Sequence, residues 1–429
     1  MTTRRDALKF MGGAASLMAA AFVSGASAAN AGKAHVVVVG GGFGGATTAR
    51  YLKRHNPDMA VTLIEPDQRF YTCPFSNLVL SGLREFESIG HGFDDLRRAG
   101  VTVVHSRANA VDQAARKVTL ADGAVLTYDR LVLSPGVDMR WGALKGYDEA
   151  ASAKAPHAWK AGEQTLLLKR QLDAMDDGGV FILVAPDNPF RCPPGPYERV
   201  SMIAHYFKTK KPKSKILILD AKDAFSKKGL FIEGWNALYG DMIEWIGRSN
   251  DGEVIEVNAD TREVKTAFGV VHKASVLNVV PPQQAGAIAA IAGVTDKSGW
   301  VPVNPMTFEA RDAKGIYVVG DATIAAPMPK SGFCANAQGK VVAAAISAEL
   351  AGREPSPPSW INTCYSVMAP EYGISVADVY QVTDGKIVIV PDSGGVSPLK
   401  ANNAFRAAEA HYATGWYESI TRDIWGARS

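Results

Sequence analysis

Residues 35–65 confine this chain more tightly than any other stretch. His35–Val39 is a β-branched run that ends at Gly40-Gly41-Gly42-Phe43-Gly44-Gly45, and a helical segment follows through Ala46–Arg54. Val61–Ile64 is a second strand, closed by Glu65. Gly40 permits the tight turn, Gly42 lets the backbone approach a pyrophosphate, and Gly45 allows the helix to pack close on the strand. The pyrophosphate sits on the helix N-terminus, and Glu65 accepts from a ribose hydroxyl. A lone G-x-G-x-x-G says little. With strand, helix and acidic residue at this spacing it specifies a dinucleotide-binding α/β unit.

Two later segments choose the dinucleotide. Tyr128–Gly136 is a strand entering a Pro-Gly turn, and Gly315–Ala322 is a strand ending in Gly320-Asp321. Both resemble the secondary motifs of the disulfide-reductase class of FAD proteins, in which the aspartate holds the ribityl chain. A long Ala/Gly-rich helix is expected from about Ala335, just after Pro329-Lys330-Ser331-Gly332. Its positive end would face the flavin, with Lys330 a further cofactor-side candidate. The expected fold is α/β, with two Rossmann-like doubly wound domains. Residues 32–147 and 284–354 form a split FAD domain around a second nucleotide-type domain at 148–283. Residues 355–429, rich in aromatics, read as a C-terminal interface domain with a docking surface.

The second unit lacks the fingerprint of the first. Its strand at Val180–Val184 leads into Ala185–Glu198, where Cys192 stands among Pro186, Pro189, Pro193 and Pro194, and a helix is expected over Glu198–Lys208. A further strand over Lys215–Leu219 ends in Asp220. Proline removes the N–H donors that cradle a pyrophosphate and stiffens the turn. The electron donor is therefore expected to react at a cysteine, not to be a nicotinamide.

The N-terminus reads as a twin-arginine-type export signal over 1–28, with Arg4-Arg5, a weak apolar run and Ala26-Ser27-Ala28. A periplasmic protein that receives its cofactor before export is expected. The formal charge of +3 and a single short basic cluster, Lys208–Lys215, point to no nucleic acid partner. No segment after the signal is apolar and long enough to insert in a membrane. The eight histidines show no metal-ligand spacing, and no C-x-x-C-H marks a haem.

Cys73, Cys192, Cys334 and Cys364 remain. A chain of this size needs no disulfide for its core, so function is the first reading for some of them. Glu198, six residues beyond Cys192, is the acid/base candidate, although it equally suits the first turn of a helix.

The motifs VVVVGGGFGGATTARYLK, VTLIEPDQRFYTCPFSN, APHAWKAGEQT, PFRCPPGPYERVS, YVVGDATIAAPMPKSG and INTCYSVMAPEYGISVADVY span nearly the whole chain after the signal. Together they resemble the flavoprotein subunit of flavocytochrome c sulfide dehydrogenase, a relative of sulfide:quinone oxidoreductases. The resemblance implies a thioether from Cys73 to FAD and a redox disulfide between Cys192 and Cys364. Hydrogen sulfide would open that disulfide and a c-type cytochrome subunit, in a heterodimer, would take the electrons. Cys334 has no counterpart in the family pattern and reads as a small buried residue, though a Cys192–Cys334 pairing stays open. Three rivals remain: a sulfide:quinone oxidoreductase, a flavoprotein of the thiosulfate-oxidising system, and a non-catalytic redox scaffold. The first would need a membrane-binding apolar face, which the C-terminal ESITRDIWGARS does not show by sequence.

Overall fold

The computed structural model describes residues 34–427, so the export signal expected at 1–28 lies outside the described residues. In chain order it has β1 (His35–Val39), α1 (Phe43–His55), β2 (Ala60–Ile64), β3 (Thr102–Val104) and β4 (Arg130–Leu133). Next come β5 (Val180–Ala185), α2 (Gly195–Lys210), β6 (Lys215–Asp220), α3 (Lys228–Tyr239), β7 (Ile243–Ile246) and β8 (Val276–Val279). After these follow β9 (Ile316–Val318), α4 (Gly332–Leu350), β10 (Ser359–Ala369), β11 (Tyr372–Thr383), β12 (Lys386–Ile389) and α5 (Asn403–Trp425).

Two parallel sheets carry the fold, in the orders β9-β4-β1-β2-β3 and β7-β6-β5-β8. Both are covered on each face, so their strands are continuous apolar runs such as Val36–Val39 and Phe181–Ala185, all buried. Each sheet winds outward from its first strand, leaving a switch point between β1 and β4 and another between β5 and β8. Crevices form outside the carboxyl ends of strands at such points. The doubly wound α/β class read from the sequence is the observed one. The first sheet draws β9 from beyond the second, so one half of the molecule is assembled from two stretches of chain.

Local boundaries differ where caps decide them. α4 starts at Gly332 instead of near Ala335, because the Ser331 hydroxyl caps it by accepting the Cys334 N–H at 3.1 Å. Cys334 is thus inside the helix, not ahead of it. α2 begins at Gly195, three residues before the expected Glu198, with Pro194 at its cap and Pro196 in its first turn. Proline is tolerated there because first-turn N–H groups have no partner within the helix.

The C-terminal part is an antiparallel sheet, β10-β11-β12, crossed by α5. Its aromatic richness is mostly interior. Trp360, Tyr380, Tyr417 and Trp425 are buried, Tyr365, Tyr372 and Trp416 half-buried, and only Tyr412 of this group is exposed. The expectation of an aromatic docking surface is corrected accordingly: these rings fill the seam between the sheet, α5 and the first half. Residues 418–425 of ESITRDIWGARS form the end of α5, whose buried apolar residues are Ala410, Ala413, Tyr417, Ile420, Ile424 and Trp425. Alanines supply part of that face, which is why its hydrophobic pattern is weak by sequence. At the end of α5 the Trp425 Nε1–H donates to the Gly41 carbonyl at 3.1 Å, and its ring stacks on Phe70 and His91 at 5.3 and 4.9 Å. Among the described residues no helix is long and apolar enough to cross a membrane.

Candidate active site

The first switch point opens into a cavity of about 1040 Å³ that runs from Glu65 and Arg107 past the glycine turn to Cys73, Arg191 and Asp321. Gly40, at φ 102°, turns the chain at the end of β1. A Cβ at Gly45 would lie 1.9 Å from the Gly40 carbonyl oxygen, so only glycine lets α1 start this close to the strand. Gly42, the cap of α1, lines the cavity, and no side chain hydrogen-bonds to the helix N-terminus as a cap. Glu65 accepts from the Gly41 N–H at 2.7 Å and the Asp67 N–H at 3.0 Å. Burial pushes its carboxyl above the usual range, and those two N–H bonds pull it back.

Two orphaned polar groups test whether FAD fits. Asp321 Oδ1 and Arg191 Nε are buried without hydrogen-bond partners, and Arg191 Nε stands 4.0 Å from Asp321 Oδ2. Buried polar groups left open in this way call for a ligand, and the hydroxyls of a ribityl chain satisfy both. Gly40, Gly42, Glu65, Cys73 and Asp321 all line this one cavity, while Gly45 packs beneath it. Lys330 does not line it. Its ammonium donates to the Asp321 and Thr323 carbonyls, both at 2.7 Å, and lies 3.8 Å over the Trp300 ring. Burial lowers its pKa to about 8. Lys330 therefore fastens the turn that carries Asp321.

Cys73 closes one end of the cavity, and Cys192 and Cys364 lie in its neighbourhood. Cys73 Sγ donates to the Trp159 carbonyl at 3.1 Å. Cys192 sits in the left-handed region at φ 59°, and its N–H donates to the Lys330 carbonyl at 2.8 Å, tying the proline-rich turn to the first half. Cys364 lies on β10, which packs against α2. Burial pushes the Cys192 thiol well up, and the neighbouring Cys364, Glu198 and Cys73 push it further, with Arg191 opposing. Burial also raises the Cys364 thiol, against the pull of Lys227. Cys192, Cys364 and Glu198 are thus in one electrostatic neighbourhood. All four cysteines are free thiols here. Cys334 is buried in α4, and burial pushes it up to about 12.

Glu198 is held by Asn77 Nδ2 at 3.1 Å and by the Ser366 hydroxyl, and burial raises its carboxyl. Behind it lies Arg199, which donates to Asn77 Oδ1, Asn278 Oδ1 and the His157 and Ala158 carbonyls. Its guanidinium stacks 4.8 Å from the Trp159 ring. Sequence reasoning passed over Asn77, Trp159, Arg199, Lys227 and Ser366. Arg199 left one signal: it shares an i, i+4, i+8 stripe with Ile203 and Phe207, so its charge had to be buried.

In the second sheet the acid that corresponds to Glu65 is covered. Asp220, at the end of β6, is fully buried. It accepts from Lys222 Nζ at 2.6 Å, the Tyr197 hydroxyl at 2.6 Å and Trp245 Nε1 at 2.9 Å. Side chains fill the place where a second nucleotide's ribose would reach this acid.

Comparisons with known proteins match three stretches of the chain. Residues 34–170 match the pyridine nucleotide-disulphide oxidoreductase profile. Residues 165–281 match the central part of the sulfide dehydrogenase [flavocytochrome c] flavoprotein chain, and 356–425 the flavocytochrome c sulphide dehydrogenase flavin-binding profile. A sulfide dehydrogenase [flavocytochrome c] flavoprotein chain of Chlorobaculum thiosulfatiphilum is 62% identical over 48 residues, 11% of this chain and 100% of that sequence. The mitochondrial sulfide:quinone oxidoreductase of Mus musculus is 25% identical over 308 residues, 67% of this chain and 65% of its own length. The chain belongs to this family of flavoproteins. It is an FAD-binding oxidoreductase. The sulfide:quinone oxidoreductase structure from Aquifex aeolicus has the same fold, with a TM-score of 0.70 at 21% identity, covering 92% of this chain and 96% of that one. So does a putidaredoxin reductase in its covalent putidaredoxin complex, with a TM-score of 0.62 at 17% identity over 91% and 98%.

Proposed function

We propose that this chain is the flavoprotein subunit of a periplasmic sulfide dehydrogenase that takes electrons from hydrogen sulfide through Cys192 and Cys364 and yields them to a c-type cytochrome. The observation that carries the reading is the meeting of Cys192, Cys364 and Glu198 where a nucleotide would otherwise sit. Family membership supports sulfide as the substrate.

Bound FAD supplies a two-electron acceptor that can release its electrons one at a time. The chain's own residues do the sulfur chemistry. Hydrosulfide attacks one sulfur of an oxidised Cys192–Cys364 pair; a new S–S bond forms, the old one breaks, and the second cysteine leaves as a thiolate. The sulfide sulfur is oxidised and the disulfide reduced, with the proton kept on the terminal sulfur. A second hydrosulfide then attacks the outer sulfur; that S–S bond breaks, the first cysteine is freed as a thiolate, and the sulfur departs as a disulfane anion whose proton Glu198, its carboxyl raised by burial, takes up. Asn77 and Ser366 aim the carboxyl at the pair. The reduced Cys192–Cys364 pair would then hold two electrons as thiolates, and FAD, when bound, would supply the acceptor that lets the disulfide re-form. Cys73, on the cavity wall beside Pro74, is the residue to hold FAD by a thioether.

Quinone as acceptor is the second reading, favoured by the sulfide:quinone oxidoreductase relatives. One experiment addresses both. In the purified flavoprotein, Cys192→Ser and Cys364→Ser should each abolish flavin bleaching by sulfide, while dithionite still reduces both proteins. Bleaching at the normal rate in either variant rejects the pair. Turnover with cytochrome c but not with a soluble quinone supports the first reading, and the reverse result replaces it with the second.

A further inference from the structure

Lys227 breaks three local rules at once. It caps the N-terminus of α3, where a cation opposes the helix dipole, and it does so in the left-handed region at φ 62°. It is also buried, at 8% exposure. A lysine kept in such a place by its surroundings marks a functional constraint. Its ammonium donates to the Cys364 carbonyl at 2.8 Å and to the Ser366 hydroxyl at 2.9 Å, 137 and 139 residues along the chain. Both partners are neutral, so the charge is not spent on a carboxylate salt bridge through these bonds.

We propose that Lys227 is a positioning residue that pins β10 over the proline-rich turn and offsets part of the burial cost of a Cys364 thiolate when the cysteine pair is reduced. This deepens the reading of Cys192 and Cys364 as the redox pair and rests on it. Every other titratable group near Cys364 works against a thiolate or is indifferent to it. Glu198 faces it from α2, Cys192 from the proline-rich turn, Cys334 from α4, and Tyr380 from β11. Burial by itself also favours the neutral thiol. Lys227 is the cation on the other side of the balance, and it pulls on Glu198 as well. A thiolate at Cys364 matters because only the thiolate form gives up electrons or attacks a disulfide readily. Ser366 joins the two roles, since it accepts from Lys227 and hydrogen-bonds Glu198. The result is one relay, Lys227–Ser366–Glu198–Asn77–Arg199, strung across the turn that carries Cys192.

The test measures Cys364 without using sulfide. The holoprotein, with its flavin and cysteines reduced by dithionite, is alkylated with iodoacetamide at a series of pH values, and the Cys364 peptide is quantified. Lys227→Gln keeps the hydrogen bonds and removes the charge; it should raise the alkylation midpoint by about one pH unit, roughly a tenfold slower reaction below it. Lys227→Arg should restore the midpoint. An unchanged midpoint in the glutamine variant overturns the proposal, as does an arginine variant that behaves like glutamine. Flavin absorbance checks that each variant is folded. Should Cys364→Ser still be bleached normally by sulfide, the redox-pair reading falls while the alkylation midpoint still reports on Lys227.

Discussion

In the first half of the molecule the acid that closes the second strand, Glu65, gives one oxygen to the Gly41 N–H and borders an open cavity. In the second half its counterpart, Asp220, is sealed beneath Lys222, Tyr197 and Trp245. The sheets wind alike, and the strand-to-helix turns stand at equivalent places. What differs is a handful of side chains. Glycines at the first turn leave room and N–H groups for a pyrophosphate. At the second, prolines remove the donors and aromatic rings fill the room, and the turn is left to present Cys192. A nucleotide fold is thus converted to thiol chemistry without altering its strand order. The ordinary function of the acid is kept in one half and neutralised by an internal cation in the other.

The largest effect that can break this comparison concerns how firmly the first half keeps its nucleotide. If Cys73 carries FAD as a thioether, acid precipitation leaves the yellow colour in the pellet, and Cys73→Ser sends all of it to the supernatant. Wild-type flavin found in the supernatant would reduce the first half to an ordinary, exchangeable site. The next effect concerns the plug. Lys222→Met leaves Asp220 buried and unpaired, and should cost about 3–5 kcal/mol in thermal or chemical unfolding. Lys222→Met together with Asp220→Asn should recover most of that loss. If Lys222→Met alone is neutral, Asp220 is not sealed as described, and fast flavin reduction by NADH would become the expected companion result.

The smallest effect sharpens the contrast through pH. His157 Nδ1 accepts the Trp159 N–H at 2.9 Å, and burial, helped by the nearby Arg199, lowers its pKa to about 3. The folded protein keeps this imidazole neutral while the unfolded chain protonates it below its ordinary value. Stability contributed by His157 is therefore complete above that ordinary value and is lost as pH falls toward about 3. The slope from this one group approaches about 1.4 kcal/mol per pH unit. His157→Asn offers an acceptor that does not titrate. Its unfolding free energy should fall less steeply between about pH 6 and pH 4. Equal slopes would remove His157 from the account of how the second half is held.

The glycine turn, Glu65 and Asp321 were legible in the sequence because a nucleotide imposes its geometry on consecutive residues. The cysteine turn was legible as a departure from that pattern. Lys227 and Asn77 were not legible, since their partners lie 137 and 121 residues away and nothing local announces them. The surroundings of Lys330 were hidden for the same reason. A lysine beside the flavin motif suggests a cofactor contact, whereas only the fold shows its ammonium turned back on the Asp321 and Thr323 carbonyls. α5 was hidden because its buried face is partly alanine.

Trp425 reaches back 384 residues to the Gly41 carbonyl. The turn that receives FAD is among the first parts of the described chain to leave the ribosome, yet the ring that braces it from behind is among the last. Cofactor capture is therefore expected to await α5, and a nascent chain stalled before Asn403 should take up no flavin. Loading becomes a report that α5 has been made, read at a turn laid down far ahead of it.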